Sequence, residues 1–265
     1  MGYDLEFIAR QFRTPGEPIR IDPVPVGHIN DTFVVATCSP AAPGWGIPGT
    51  TPEGGGEGPQ TRPIALGNPA TRYILQRINQ IVFTRPVEVM ANVVRITEHI
   101  RAKLEAADPV PAARQLAVIP ATDDRAYYQD AAGNVWRMYN FIENAVTYDT
   151  LASPALAREA ARMFGWFQKM LIDLPGPPLH ETIVGFHNTP RRLERFQEVV
   201  RADAVNRAKD AKHEIDFVFE NAEICHVLYD LVRRGEVPIR IAHNDAKINN
   251  VMFDTTTNRG VCVID

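Results

Sequence analysis

The most constraining stretch of the chain lies near its end: His243-Asn244-Asp245-Ala246-Lys247-Ile248-Asn249-Asn250-Val251-Met252-Phe253-Asp254, followed after a polar turn by Val261-Cys262-Val263-Ile264-Asp265. One carboxylate, Asp245, precedes a lysine by two residues and an amide, Asn250, by five, and a second carboxylate, Asp265, closes the next apolar run. The runs at Val251 to Phe253 and Gly260 to Ile264 read as two short strands of a hairpin, with Asn250 before one and Asp265 after the other. That arrangement suits phosphoryl transfer, in which a carboxylate receives the proton of an attacking hydroxyl and hard oxygen ligands hold magnesium against nucleotide phosphates. Magnesium takes few protein groups and completes its octahedron with waters and phosphates. By this reading Asp245 is the catalytic base, and Asn250 and Asp265 are the metal ligands.

The pattern His-x-Asp-x-x-x-x-Asn followed by an apolar strand ending in Asp resembles the catalytic loop of the aminoglycoside phosphotransferase and choline kinase group of small-molecule kinases. The wording HNDAKINNVMFD with CVID, together with GHINDTF, YILQRIN and MYNFIE upstream, is similar to the N-acetylhexosamine 1-kinase branch. The resemblance implies an α+β, two-lobed, protein-kinase-like fold. A small lobe would span residues 1–139, a hinge 140–144 and a helical large lobe 145–265. It implies ATP and magnesium, and as acceptor a hydroxyl of a small molecule, by closest resemblance a sugar or amino sugar; aminoglycosides and choline are the other acceptors within the group. It also implies that a large lobe continues beyond Asp265, so the 265 residues are expected to be a truncated form, binding Mg-nucleotide weakly and turning over poorly. The competing class is a kinase-shaped binding protein without turnover.

Global charge offers no alternative partner. Lys+Arg of 28 against Asp+Glu of 32 leaves a net charge of −4, so no basic field invites nucleic acid, and a magnesium nucleotide has to be held by local groups. A hydrophobic content of 45% suffices for a buried core. The start lacks a basic, apolar leader and no stretch has the length of a membrane span, which points to a cytoplasmic protein without a membrane partner. Cys38, Cys225 and Cys262 show no CxxC spacing and read as reduced thiols.

Upstream, strands on either side of Gly27-His28-Ile29-Asn30-Asp31-Thr32 form a first hairpin whose turn would close over the nucleotide phosphates with its backbone N–H groups, with Gly27, Asn30 and Thr32 as contacts. Residues 38–71 are dense in Pro and Gly and read as a flexible insertion, which a loop tolerates at a cost of only about 0.6 kcal/mol per doubling of length. In kinases the strand corresponding to Tyr73-Ile74-Leu75-Gln76-Arg77-Ile78 presents a lysine to the phosphates. Here that register falls on Gln76. Either the register shifts and Arg77 contacts phosphate, or the charge comes from elsewhere, such as Lys247.

Helical spacing covers Pro86 to Leu104, where Glu98 could face the phosphate-binding strand. Strands are expected at Gln115 to Ile119, Arg125 to Gln129 and Val135 to Ile142, the last running into a hinge in which Tyr139 and Phe141 border the adenine. Helices should start at Ser153-Pro154 and Thr189-Pro190, and a third should run unbroken from Glu214 to Arg234 before Gly235. His187 falls in the loop between large-lobe helices where kinases of this kind meet their acceptors.

Overall fold

The computed structural model describes residues 2–24, 29–38, 71–107, 114–150 and 152–265. Gly27 and nearly all of the Pro/Gly-rich insertion lie outside the described residues. The chain divides into two compact units, one of Met1–Arg101 with Arg114–Asn144, the other of Ala102–Ala113 with Ala145–Asp265.

The first unit is built on an antiparallel sheet. Its strands are β1 (Glu17–Pro23), β2 (Asp31–Cys38), β3 (Thr71–Arg77), β4 (Val118–Ile119), β5 (Tyr128–Gln129) and β6 (Val135–Asn140), in the order β1-β2-β3-β6-β4 with β5 also on β6. Alternation along the strands sends Val35, Tyr73, Leu75, Trp136 and Met138 to one face, where they pack on Ile8 and Ala9 of a short helix α1 (Leu5–Ala9) and on Phe12. Trp136, Leu75 and Met138 are fully buried, each contributing about 1.5–3 kcal/mol by burial. Helix α2 (Pro86–Glu105) supplies Met90 to a second cluster with Ile78 and Val135, which alternation places on the sheet's other face.

Three local features of this unit differ from the sequence reading. Helix α1 is unforeseen: Asp4 caps it by accepting from the Phe7 N–H at 3.0 Å. The strands expected at 115–119 and 125–129 shrink to two residues each, because Asn140 side-chain Oδ1 takes the Ala117 N–H at 2.7 Å and Asp123 turns the chain by accepting from the Arg125 N–H at 3.1 Å. Glu98 lines a cavity with Arg101, Gln115 and Asp124, beside β4.

The second unit pairs helices with a small sheet of β7 (Ala145–Val146), β8 (Val251–Asp254) and β9 (Gly260–Val263), in the order β7-β8-β9. Helix α3 (Pro154–Leu171) starts at Ser153, whose hydroxyl accepts from the Leu156 N–H at 3.3 Å, with Pro154 in its first turn. Its buried Ala160 and Met163 pack on Val251 and Phe253 of β8. Gly260 opens β9 hard against that helix: a Cβ there would lie 2.4 Å from Met163 Cγ. The Gly260 N–H donates to Glu159 and its carbonyl accepts from Arg162, so glycine lets the strand backbone dock directly on α3.

Helix α4 (Thr189–Ala202) follows the expected Thr189-Pro190 start. The single helix expected over Glu214 to Arg234 is instead α5 (Lys212–Glu220), a 3₁₀ turn at Ala222–His226 and α6 (Val227–Arg233). Asn221 breaks it: its side-chain Nδ2 donates to the Phe217 carbonyl at 2.8 Å, closing the helix end. None of Cys38, Cys225 and Cys262 is in a disulfide. Among the described residues no helix is long and apolar enough to cross a membrane.

Candidate active site

In the second unit the loop before β8 folds back on itself around Asp245. The Asn250 amide Nδ2 donates to both the main-chain oxygen of Asp245, at 2.9 Å, and its carboxylate Oδ2, at 3.1 Å. Both partners only accept, so the amide's nitrogen has to face Asp245 and its oxygen Oδ1 is left over. Asn250 is itself 3% exposed. Its N–H donates to the Lys247 carbonyl at 3.1 Å and its carbonyl accepts from the Ile264 N–H at 2.9 Å, which sets Asn250 beside the residue preceding Asp265 at the ends of adjacent strands.

Lys247 Nζ lies 2.7 Å from Asp245 Oδ2, with both side chains about half exposed. Partial burial opposes ionisation of Asp245. Hydrogen bonds from Lys247 and Asn250, with the charges of Lys247 and His243, outweigh that and hold the carboxyl below its ordinary value. Asp245 is thereby kept as a carboxylate able to accept a proton.

His243 anchors the loop from the other side. Its Nε2 lies 3.0 Å from the Ile264 carbonyl, so that nitrogen carries the hydrogen, and the ring meets Phe164 and Phe167 of α3 edge-on at 5.3 and 5.5 Å. Those aromatics hold the loop as well as fill the core. Asn244, at φ +66°, takes the left-handed turn between His243 and Asp245. Its carbonyl meets His187 Nε2 at 2.8 Å.

In the first unit Asn30 and Thr32 sit at the entry to β2. The Asn79 N–H donates to Asn30 Oδ1 at 3.0 Å, and Thr32 Oγ1 accepts from Gln76 Nε2 at 3.0 Å. Arg77 points to the opposite face of β3 from Gln76. It donates to Asp31 at 2.7 Å and lies over the Tyr3 ring at 5.4 Å. Tyr139 is buried within β6, opposite Ile74 of β3 and Val118 of β4. The Phe141 N–H donates to the Arg72 carbonyl at 3.2 Å and its ring stacks under the Arg72 guanidinium at 4.0 Å.

The structure therefore brings Asp245, Lys247 and Asn250 into direct contact, with Asp265 one residue beyond Ile264. It separates Arg77 from the Thr32–Gln76 face. Arg137, unremarked in the sequence, donates from Nε to Gln76 Oε1 at 3.0 Å while only 6% exposed. The signal that would have found it is an arginine at an inward position of the apolar strand Val135-Trp136-Arg137-Met138-Tyr139. Among the described residues no group of three or more His, Cys, Asp or Glu side chains is placed to hold a metal.

Residues 54–265 match a sequence family described as the phosphotransferase enzyme family. Among solved structures, a spectinomycin phosphotransferase in complex with ADP and spectinomycin is similar over 94% of this chain and 64% of its own, at 9% identity and a TM-score of 0.48. A thermostable mutant of an aminoglycoside phosphotransferase, without ligand, is similar over 94% of this chain and 67% of its own, at 13% identity and a TM-score of 0.43. The chain thus spans less than two thirds of the length of the first.

Proposed function

The chain belongs to the phosphotransferase enzyme family, and from that premise we propose that it is a small-molecule kinase that moves the γ-phosphoryl of ATP to a hydroxyl of a sugar or amino sugar. The observation that carries the reading is the clamp on Asp245. Asn250 fixes Asp245 by two hydrogen bonds, one to its main-chain oxygen and one to its carboxylate, and its neighbours keep that carboxylate ionised, as a proton acceptor for an alcohol requires.

The attacking hydroxyl gives its proton to Asp245. Lys247 shares the same carboxylate oxygen, so it limits the swing of the carboxylate and balances its charge before the acceptor arrives. Magnesium fits the residues present: Asn250 keeps an amide oxygen free of Asp245, Asp265 adds a carboxylate at the neighbouring strand end, and two such hard ligands are a usual protein share for this ion. When bound, it would neutralise charge on the phosphates in flight. Asn30 and Thr32 would border those phosphates, and the hinge main chain around Tyr139 and Phe141 the adenine.

The acceptor follows from the resemblance of the catalytic loop and upstream strands to the N-acetylhexosamine 1-kinase branch, and amino sugars of the aminoglycoside kind belong to the same chemical class. A second reading, a kinase-shaped nucleotide-binding protein without turnover, is favoured by one observation, the glutamine at position 76 in place of lysine. Incubation with Mg-ATP and separate acceptors (N-acetylhexosamines, aminoglycosides and choline), with phosphorylated product read by mass, distinguishes the two. Product from a sugar or amino sugar supports the first reading, whereas nucleotide binding without product from any acceptor supports the second.

A further inference from the structure

Thr32, Gln76 and Arg137 stand directly opposite one another on three adjacent strands, Thr32 across from Gln76 and Gln76 across from Arg137. Alternation puts all three on the face of the sheet away from α1, since Leu75, Trp136 and Met138 fill the α1 face. The rung is also a directed hydrogen-bond chain. Arg137 Nε donates to Gln76 Oε1 at 3.0 Å, Gln76 Nε2 donates to Thr32 Oγ1 at 3.0 Å, and Thr32 Oγ1 donates to the Asn30 carbonyl at 3.4 Å.

A guanidinium has no acceptor, so Arg137 decides which way the Gln76 amide points: oxygen toward the arginine, NH₂ toward the entry of β2. Without Arg137 the amide could turn over and present an acceptor there. Burying a charged side chain is costly unless it is well paired. Arg137 is 6% exposed and stacks over the Tyr139 ring at 5.1 Å. The rung ends where Asn79 also grips the loop, its Nδ2 donating to the Ile29 carbonyl at 3.0 Å.

Resting on the kinase reading, we propose that Arg137 is a positioning residue of the nucleotide site. Its charge stands in, one strand over, for the lysine that Gln76 replaces. Through Gln76 and Thr32 it fixes the backbone at the entry to β2 and adds positive potential toward the nucleotide phosphates. Arg77, engaged with Asp31 and Tyr3 on the other face, does not take this role.

The test is the affinity of the chain for Mg-ATP and for adenosine, by calorimetry, in the parent, Arg137→Met, and Arg137→Met combined with Gln76→Lys. Charge-assisted hydrogen bonds are about twice as strong as neutral ones, so Arg137→Met should lose about tenfold in Mg-ATP affinity and less than about twofold in adenosine affinity. Lysine at position 76 should restore most of the loss. Should Arg137→Met not fold, Gln76→Leu cuts the same chain at its middle, and the same split between Mg-ATP and adenosine is expected of it. Equal losses for the two ligands, an unchanged Mg-ATP affinity, or no recovery with lysine at 76 overturns the proposal. A parent that binds neither ligand removes the kinase reading itself, a result distinct from a parent that binds both and variants that change nothing.

Discussion

His187 Nε2 lies 2.8 Å from the main-chain oxygen of Asn244, the left-handed residue directly before Asp245. A loop outside the catalytic segment thus holds the backbone that aims the proposed base. His187 stands on the N-terminal side of α4, where Phe186 packs edge-on against its ring at 4.7 Å and the Arg192 guanidinium grips the Phe186 carbonyl at 2.7 Å. Removal of one such hydrogen bond is worth about 1 kcal/mol. His187→Ala should therefore slow phosphoryl transfer by about fivefold to tenfold at unchanged Mg-ATP affinity, and His187→Gln, which keeps an N–H donor, should recover part of the loss. A fall in nucleotide affinity equal to the fall in rate would mean that His187 acts on nucleotide binding and not on the aim of Asp245.

Asn250→Ala leaves two oxygens of Asp245 without their buried donor. Each such hydrogen bond is worth about 0.5–1.5 kcal/mol net, so a drop in unfolding free energy of about 1–2 kcal/mol is expected by urea denaturation. Unchanged stability would mean that the clamp does not hold the loop.

Asp245 also sets a pH signature. Its folded-state carboxyl is lowered from 3.8, so the unfolded chain binds the proton more readily and the ionised group favours the fold. That contribution is present above the unfolded value and is lost as pH falls through the lowered folded value. The difference in melting temperature between the parent and Asp245→Asn should shrink as pH drops from about 6 to about 3. A difference that stays constant over that range would show that Asp245 carries no such linkage.

Gly260 and Gly165 should respond to alanine with opposite signs. Gly260→Ala drives a Cβ to within 2.4 Å of Met163 Cγ, in a side chain that is 1% exposed and cannot swing away. Overpacking of that kind costs about 1–3 kcal/mol. Gly165 lies within α3 with nothing inside 4 Å of an added Cβ, and Gly165→Ala should stabilise by about 0.5–1 kcal/mol through helix propensity. Thermal melts of the two variants compare them directly.

The contact between Asp245 and Asn250 in the candidate site was legible because it is local. Asp245 and Asn250 are five residues apart, a short loop closes them on each other, and the hairpin strands beside them carry an unbroken apolar run. The rung in the first unit was not legible, because Thr32 and Gln76 are 44 residues apart and Gln76 and Arg137 are 61. Cross-strand register decides that contact, and register is a property of the assembled sheet. The alternation that turns Arg77 away from Gln76 was readable from the strand alone; the Asp31 and Tyr3 partners that hold it there were not. The helix expected from Glu214 to Arg234 failed for a similar reason. Apolar spacing continues across Asn221, and only the geometry shows its amide competing for the Phe217 carbonyl.

Whether Asp245 receives the proton in phosphoryl transfer is decided by the transfer rate of Asp245→Asn against the parent, with Mg-ATP affinity measured on the same samples. The asparagine keeps the shape and removes the proton acceptor. Loss of a general base costs about 10²–10⁴ in rate, and that loss at a nearly unchanged nucleotide affinity is the result predicted. A rate for Asp245→Asn within about threefold of the parent, on the same scale, would show that Asp245 is not the base.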